Sequence, residues 1–329
     1  MLLDLISFVA ISCAIPLSIA LSLISSQQSR DRTGEGSLDF SRLLGRTEQS
    51  SPLISYKTPD GDELGFRRYA TAREGAPLLL LVHGSGWHGI AFDQLAQRVA
   101  DAGLANVVVP DLRGHGANPE RRGDINYIGQ LESDLHALIE QEARDGQSVV
   151  MGGHSSGGGL VVRYANGQFG EDLKGAILMS PFLKYNAPTT RPSSGGWAEA
   201  MVRRIIGLSM LNTVGITVFN HLPVIDFAFP QEVIDGPLGH TATRAYSYRM
   251  NTSFAPRNNY LQDVSKLPPF LLVAGRDDEA FVADLYEPTL SPANPNGRYV
   301  LIDGVSHLDV ISSDEAFTAV RDYLTGRDG

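Results

Sequence analysis

Ser148-Val149-Val150-Met151-Gly152-Gly153-His154-Ser155-Ser156-Gly157-Gly158-Gly159-Leu160 is the stretch whose reading decides the fold. A short apolar run leads into a glycine-rich turn, and a helical pattern follows to about Tyr164. Gly153-His154-Ser155-Ser156-Gly157 fits the pattern G-x-S-x-G, with Ser155 at its centre. Alone, this pentapeptide is weak evidence in a chain rich in glycine and serine. Its context carries the weight: a strand, a sharp turn and a helix in that order push a serine hydroxyl out at the carboxyl edge of a sheet. Such a turn forces close packing and strained dihedrals that a β-carbon would obstruct, hence the glycines. The amides that open the following helix favour negative charge beside Ser155. Ser156 competes for the role of nucleophile, but it has no glycine two residues before it.

Outward from this turn the chain alternates. Apolar runs at 78–82, 107–109, 175–179, 270–274 and 298–302 join the one ending at Met151, with helical patterns at 90–100, 124–144 and 313–324. Continuous apolar strands separated by helices predict an α/β fold, a mostly parallel sheet covered on both faces. Residues 53–69 hold two further strands about Pro59-Asp60-Gly61-Asp62, a turn that Asp-Gly favours, so the sheet is expected to be mixed. The domain is placed at 52–327. Within it, residues 183–262 break the alternation with Trp197, a helical stretch at 201–211 and the apolar string Phe219 to Phe227. So long an excursion between strands is expected to be a helical cap that roofs the site.

Residues 2–24 are apolar apart from Asp4 and a few serines, and as a helix would be roughly 34 Å long, enough to cross a bilayer. Residues 1–26 are therefore expected to be a transmembrane anchor or a cleaved signal segment. Arg30 and Arg32 favour a cytoplasmic catalytic domain if it anchors, and cleavage would give a secreted or periplasmic one. The polar residues 27–51 read as a mobile tether.

A serine hydroxyl needs a base brought from elsewhere in the fold. Of eight histidines, His307 is the candidate, because Asp303-Gly304-Val305-Ser306-His307 follows the last strand. The acid that orients an imidazole is expected in Gly275-Arg276-Asp277-Asp278, the equivalent turn one strand earlier, where only one of the two carboxylates can face inward. The order serine, acid, histidine along the chain excludes the chymotrypsin and subtilisin arrangements. Donors for a developing oxyanion are assigned to the backbone amides of Ser85, in His83-Gly84-Ser85-Gly86-Trp87, and of Ser156. His83 reads as a structural hydrogen-bonding residue, and Trp87 and His154 as substrate-binding candidates. Asp111-Leu112-Arg113-Gly114-His115-Gly116 lacks zinc-ligand spacing, so its arginine is expected to brace the turn.

Composition excludes other classes. The 329 residues, 43% of them hydrophobic, are enough for a full core. The net charge of −10, without a basic run, argues against nucleic acid as a partner. The one cysteine, Cys13, excludes an intrachain disulfide framework or a cysteine-rich zinc site.

Taken together, the turns at 83–86, 111–116, 153–157, 275–278 and 304–307 resemble the α/β-hydrolase superfamily. The similarity is to its monoacylglycerol lipase-like and lysophospholipase-like branch, which includes the serine aminopeptidase-like group. It covers about residues 53–324. The resemblance implies Asp278 rather than Asp277 as the acid, and a Ser155–His307–Asp278 triad. It further implies hydrolysis of a small-molecule carboxylic ester or lipid through an acyl-enzyme, with no cofactor and no metal. Aminopeptidase or amidase action with the same triad is the alternative, with Glu199 or Glu232 placed to receive an amine. A non-catalytic binding protein on this fold is a third reading. Arg191, Arg203 and Arg204 in the cap are candidates for meeting a phosphate headgroup.

Overall fold

The computed structural model describes residues 2–36, 38–44, 51–117 and 119–326. Among these, eight strands form one sheet in the order β1-β2-β4-β3-β5-β6-β10-β11. They are β1 (Ile54–Lys57), β2 (Glu63–Tyr69), β3 (Leu78–Val82), β4 (Asn106–Pro110), β5 (Val149–His154), β6 (Leu173–Met179), β10 (Phe270–Gly275) and β11 (Gly297–Ile302). From β4 to β11 every pairing is parallel, whereas β1–β2 and β2–β4 are antiparallel. The sheet is mixed, as the hairpin predicts. β3 shows why its run is wholly apolar: Leu78, Leu80 and Val82 enter the core on one face, Leu79 and Leu81 the core on the other.

The predicted helices appear with shorter bounds. The pattern at 90–100 is a 3-10 turn, Gly89–Phe92, followed by the helix Asp93–Asp101, and the pattern at 124–144 is helical only over Gln130–Glu142. The last helix, Asp314–Leu324, is capped by the Ser313 hydroxyl, which accepts from the Ala316 amide at 3.1 Å.

The cap is not purely helical, contrary to expectation. Besides the helix Val202–Thr213 it holds a three-stranded antiparallel sheet, β7 (Ala198–Ala200), β8 (Pro223–Phe227) and β9 (Ala245–Ser247), in the order β7-β8-β9. The apolar string of the sequence lies partly in β8. Its Asp226 is buried, and a buried carboxylate needs donors. They come from the Ser29 hydroxyl at 2.5 Å and the Arg30 amide at 2.9 Å.

That contact corrects the reading of residues 27–51 as a mobile tether. Arg32 donates to Gly196 O at 3.1 Å, the Gly34 amide donates to Phe229 O at 2.8 Å, and Leu38 and Phe40 are buried. Residues 45–50 lie outside the described residues.

The expected membrane span finds no support. Among the described residues no helix is long and apolar enough to cross a membrane. The leader is a helix, Leu2–Ser25, with Pro16 inside it, and it docks on the cap. Ala20 and Ile24 join Leu208, Leu211, Val224 and Tyr248 in one small core. The two helices meet at Gly207, where a Cβ would stand 2.5 Å from Ala20 O. Arg204 is buried with its guanidinium on the carbonyls of Ile24, Gln27 and Pro223. That arginine satisfies helix-end carbonyls and is withdrawn from any phosphate.

The turn at 111–116 is braced through Arg113. Its guanidinium meets buried Asp134 at 2.8 Å and reaches Asp60 and Asp62 in the β1–β2 turn. Removing one partner of such a pair strands a buried charge. Asp134→Ala is therefore expected to lower stability by about 3–5 kcal/mol, read as a fall in the urea midpoint.

Candidate active site

Ser155 directly follows β5, with φ 53° and ψ −121°, a strained geometry for any residue with a β-carbon. Its amide donates to Met179 O on the neighbouring strand at 2.9 Å, and the helix Ser156–Ala165 starts directly after it. The flanking glycines are sterically required. A Cβ at Gly153 would lie 2.4 Å from the Gly157 carbonyl carbon, and one at Gly157 would lie 2.2 Å from Val82 O. Strand and helix pass too closely for side chains, and the serine is forced outward at the sheet edge.

His307, in the turn after β11, donates from Nδ1 to Asp278 Oδ2 at 2.9 Å. Both side chains are buried. The other oxygen, Asp278 Oδ1, accepts the amides of Ala280 and Phe281 at 2.8 Å each. Burial by itself would raise the Asp278 carboxyl, but attraction to His307, their hydrogen bond and the Phe281 amide together hold it below the ordinary carboxylate range. Asp277 is exposed, its backbone amide on Val305 O at 3.2 Å. The structure thus sets Asp278, not Asp277, against the imidazole.

Ser155 and His307 line one cavity, together with Ser85, Trp87 and His154. His154 is held neutral by burial, which pushes it down to about 3, and its Nε2–H donates to His307 O at 2.9 Å. It steadies the backbone of the histidine turn. A larger cavity of about 410 Å³ beside Asp62, Arg113 and Asp124 does not include Ser155.

On the facing side, Gly84 approaches so closely that a Cβ there would stand 3.2 Å from Ser155 Cβ. Burial pushes His83 down to about 4. The neutral ring bridges two turns, donating from Nδ1 to Gly84 O at 2.8 Å and accepting the Leu112 amide on Nε2 at 3.1 Å. Ser85 Oγ accepts the indole N–H of Trp197 at 3.2 Å.

Sequence reasoning missed what holds the next peptide. The Gly86 amide donates to Tyr246 Oη at 2.7 Å, and Tyr246 in turn donates to His115 Nε2 at 2.6 Å. His115, buried and neutral, donates from Nδ1 to Arg113 O at 3.0 Å. From the other side Thr243 N–H reaches Gly86 O at 2.8 Å. Gly86 is thus clamped between two residues of the cap, one on β9 and one just before it. No periodic or motif signal marks Tyr246. Leu38 and Phe40 also line the serine's cavity, and their only signal is two apolar residues in a polar stretch.

Comparison with known proteins places these residues in context. Residues 74–307 match the family model described as serine aminopeptidase, S33. A probable protein phosphatase methylesterase 1 of Caenorhabditis elegans is 31% identical over 130 residues, 39% of this chain and 35% of that protein. The monoglyceride lipase of Saccharomyces cerevisiae is 24% identical over 251 residues, covering 71% of this chain and 78% of the lipase. Several curated relatives are thus matched over only about a third of their own length. A solved soluble variant of the same yeast lipase superposes with a TM-score of 0.66 at 17% identity, covering 86% of this chain and 97% of that one.

The depressed Asp278 carboxyl sets a pH dependence. A group whose folded value is lowered contributes stability above its unfolded value, about 4, and loses it as pH falls through the folded value. The stability advantage of the native chain over Asp278→Asn should therefore be full at neutral pH and shrink in urea titrations carried below about pH 4. Asp277→Asn, at an exposed position, should shift stability by no more than about 0.5 kcal/mol at either pH.

Proposed function

The chain belongs to the serine aminopeptidase S33 family of α/β-hydrolases, and from that premise we propose that it cleaves carboxylic esters by acyl transfer to Ser155. The observation that carries the reading is that His307, held by buried Asp278 at 2.9 Å, lines the same cavity as the strained Ser155. In this reading Ser155 Oγ attacks the ester carbonyl carbon while His307 Nε2 takes its proton. Asp278 fixes the tautomer and stabilises the imidazolium. The electron pair moves to the carbonyl oxygen, where the amides of Ser85 and Ser156 receive it. On collapse the alcohol leaves with the proton from His307. Water, activated by the same ring, then releases the acid.

The cavity walls favour an apolar substrate. Trp87, Trp197 and Leu308 line it, and two of the three arginines considered for a headgroup, Arg191 and Arg204, are otherwise engaged. Arg191 donates to the carbonyls of Asp278 and Phe281, and Arg204 is buried on backbone carbonyls. A neutral ester of the acylglycerol type therefore suits the site better than a lysophospholipid. For amide cleavage an acid should stand free for an amine. Glu199 does not, because it pairs with Arg30 at 2.7 Å and Arg32 at 3.3 Å.

Two measurements test the reading. Ser155→Ala should abolish both turnover of nitrophenyl esters and labelling by a fluorophosphonate, and retained turnover would eliminate the mechanism. Tyr246→Phe should lower kcat by about tenfold with little change in KM, since the clamped turn serves the transition state more than the ground state.

A further inference from the structure

The cavity around Ser155 is already filled. It leaves about 20 Å³, room for roughly one water molecule, where ligand sites commonly offer about 300–1,000 Å³. Much of the filling comes from outside the hydrolase domain. Leu38 and Phe40 arrive from the segment that runs over the cap, and both are buried. The Phe40 ring lies 5.7 Å from those of Trp87 and Trp197 and 5.4 Å from that of Phe229. It completes an aromatic box beside the nucleophile.

The members of this box are held in different ways. Trp197 is fixed by directional bonds, its carbonyl accepting the Ala228 amide at 2.9 Å and its indole reaching Ser85 Oγ. The segment around Phe40 carries bonds of its own: the Leu43 amide donates to Phe40 O at 2.9 Å and the Ser41 amide to Asp39 Oδ1 at 2.9 Å. The phenyl ring meets the box through apolar contact. Such contact is non-directional, so a hydrocarbon chain can replace it without breaking a hydrogen bond. Just upstream the chain is pinned: Gly34 N–H binds Phe229 O, and a Cβ at Gly36 would stand 2.2 Å from Ala228 O. Leu38 and Phe40 can therefore leave the box while the segment stays attached to the cap.

We propose that Leu38 and Phe40 occupy the subsite for the acyl chain of the ester, so that Phe40 sets the chain length the enzyme accepts. This inference rests on the ester-hydrolase reading above. Short acyl groups disturb the aromatic box least, whereas longer chains enter only by displacing the Phe40 ring. Phe40 is thus a specificity-determining residue supplied by a segment outside the 74–307 match.

The test compares nitrophenyl acetate with nitrophenyl octanoate, using the full chain and Phe40→Ala, with concentrations normalised to fluorophosphonate-labelled protein. The octanoate-to-acetate ratio of kcat/KM should rise by about fivefold or more in Phe40→Ala. The larger ring of Phe40→Trp should lower it. A smaller rise in Phe40→Ala, or a fall, overturns the proposal. Should Phe40→Ala fail to fold, Phe40→Leu, which keeps an apolar side chain, must raise the ratio at least about twofold for the proposal to stand. Native protein that takes no label at Ser155 refutes the underlying reading instead. Normal labelling with an unmoved ratio refutes only the role of Phe40.

Discussion

Close passage of β5 against the helix Ser156–Ala165 is the constraint on which the rest of the site depends. With Gly153 of β5 pressed onto Gly157, and Gly157 onto Val82 O of the neighbouring β3, no side chain can stand between strands and helix, and Ser155 links them with a positive φ of 53°. Strain of this kind costs on the order of 1–3 kcal/mol and persists because surrounding bonds over-determine it. Ser155 N–H is held by Met179, and its carbonyl accepts the amides of Gly159 and Phe182. The same packing that costs this energy leaves the hydroxyl beside a helix start, where free amides favour the charge that attack on a carbonyl would create.

Electrostatic order around the pair of His307 and Asp278 follows from burial rather than from proximity alone. A buried carboxylate is tolerable because its lone pairs are shared among the imidazole and two backbone amides. The neighbouring histidines take the opposite solution: His83, His115 and His154 stay neutral under burial, His83 joining two backbone turns, His115 joining Arg113 O to the Tyr246 hydroxyl, and His154 donating to His307 O. Four histidines near one site thus perform two distinct tasks, with carboxylate contact reserved for His307.

The parts legible in the sequence were those governed by local rules. Strand runs such as 78–82, the Asp-Gly hairpin and the G-x-S-x-G turn each encode their geometry within a few residues. The turns bearing Asp278 and His307 followed, because loops at the carboxyl ends of parallel strands converge by topology. What stayed hidden depended on distant partners. An apolar leader is equally suited to a bilayer and to a groove on its own cap, and the groove is built by Gly207 and Arg204, some 180 residues away. A polar stretch reads as a tether until Asp226 is found buried and in need of donors. Asp278 and Asp277 are indistinguishable by position, and only the resemblance chose between them before the fold separated the buried from the exposed carboxylate.

Those distant partners also bind cap, leader segment and active-site turns into one unit. The exposed pair of Arg30 and Glu199 is worth little, since solvent screens it. The durable links are hydrogen bonds made by backbone groups: Gly34 to Phe229 and Thr243 to Gly86, both backbone to backbone, and the Gly86 amide to the Tyr246 hydroxyl. Two of these end on Gly86, whose φ of 79° and closeness to the Phe229 ring leave no room for a β-carbon. Gly86 is therefore where cap and catalytic domain exchange force. A cap shift that freed Tyr246 would also release the turn carrying the Ser85 amide, so the roof over the cavity and the backbone that faces Ser155 form a single mechanical element.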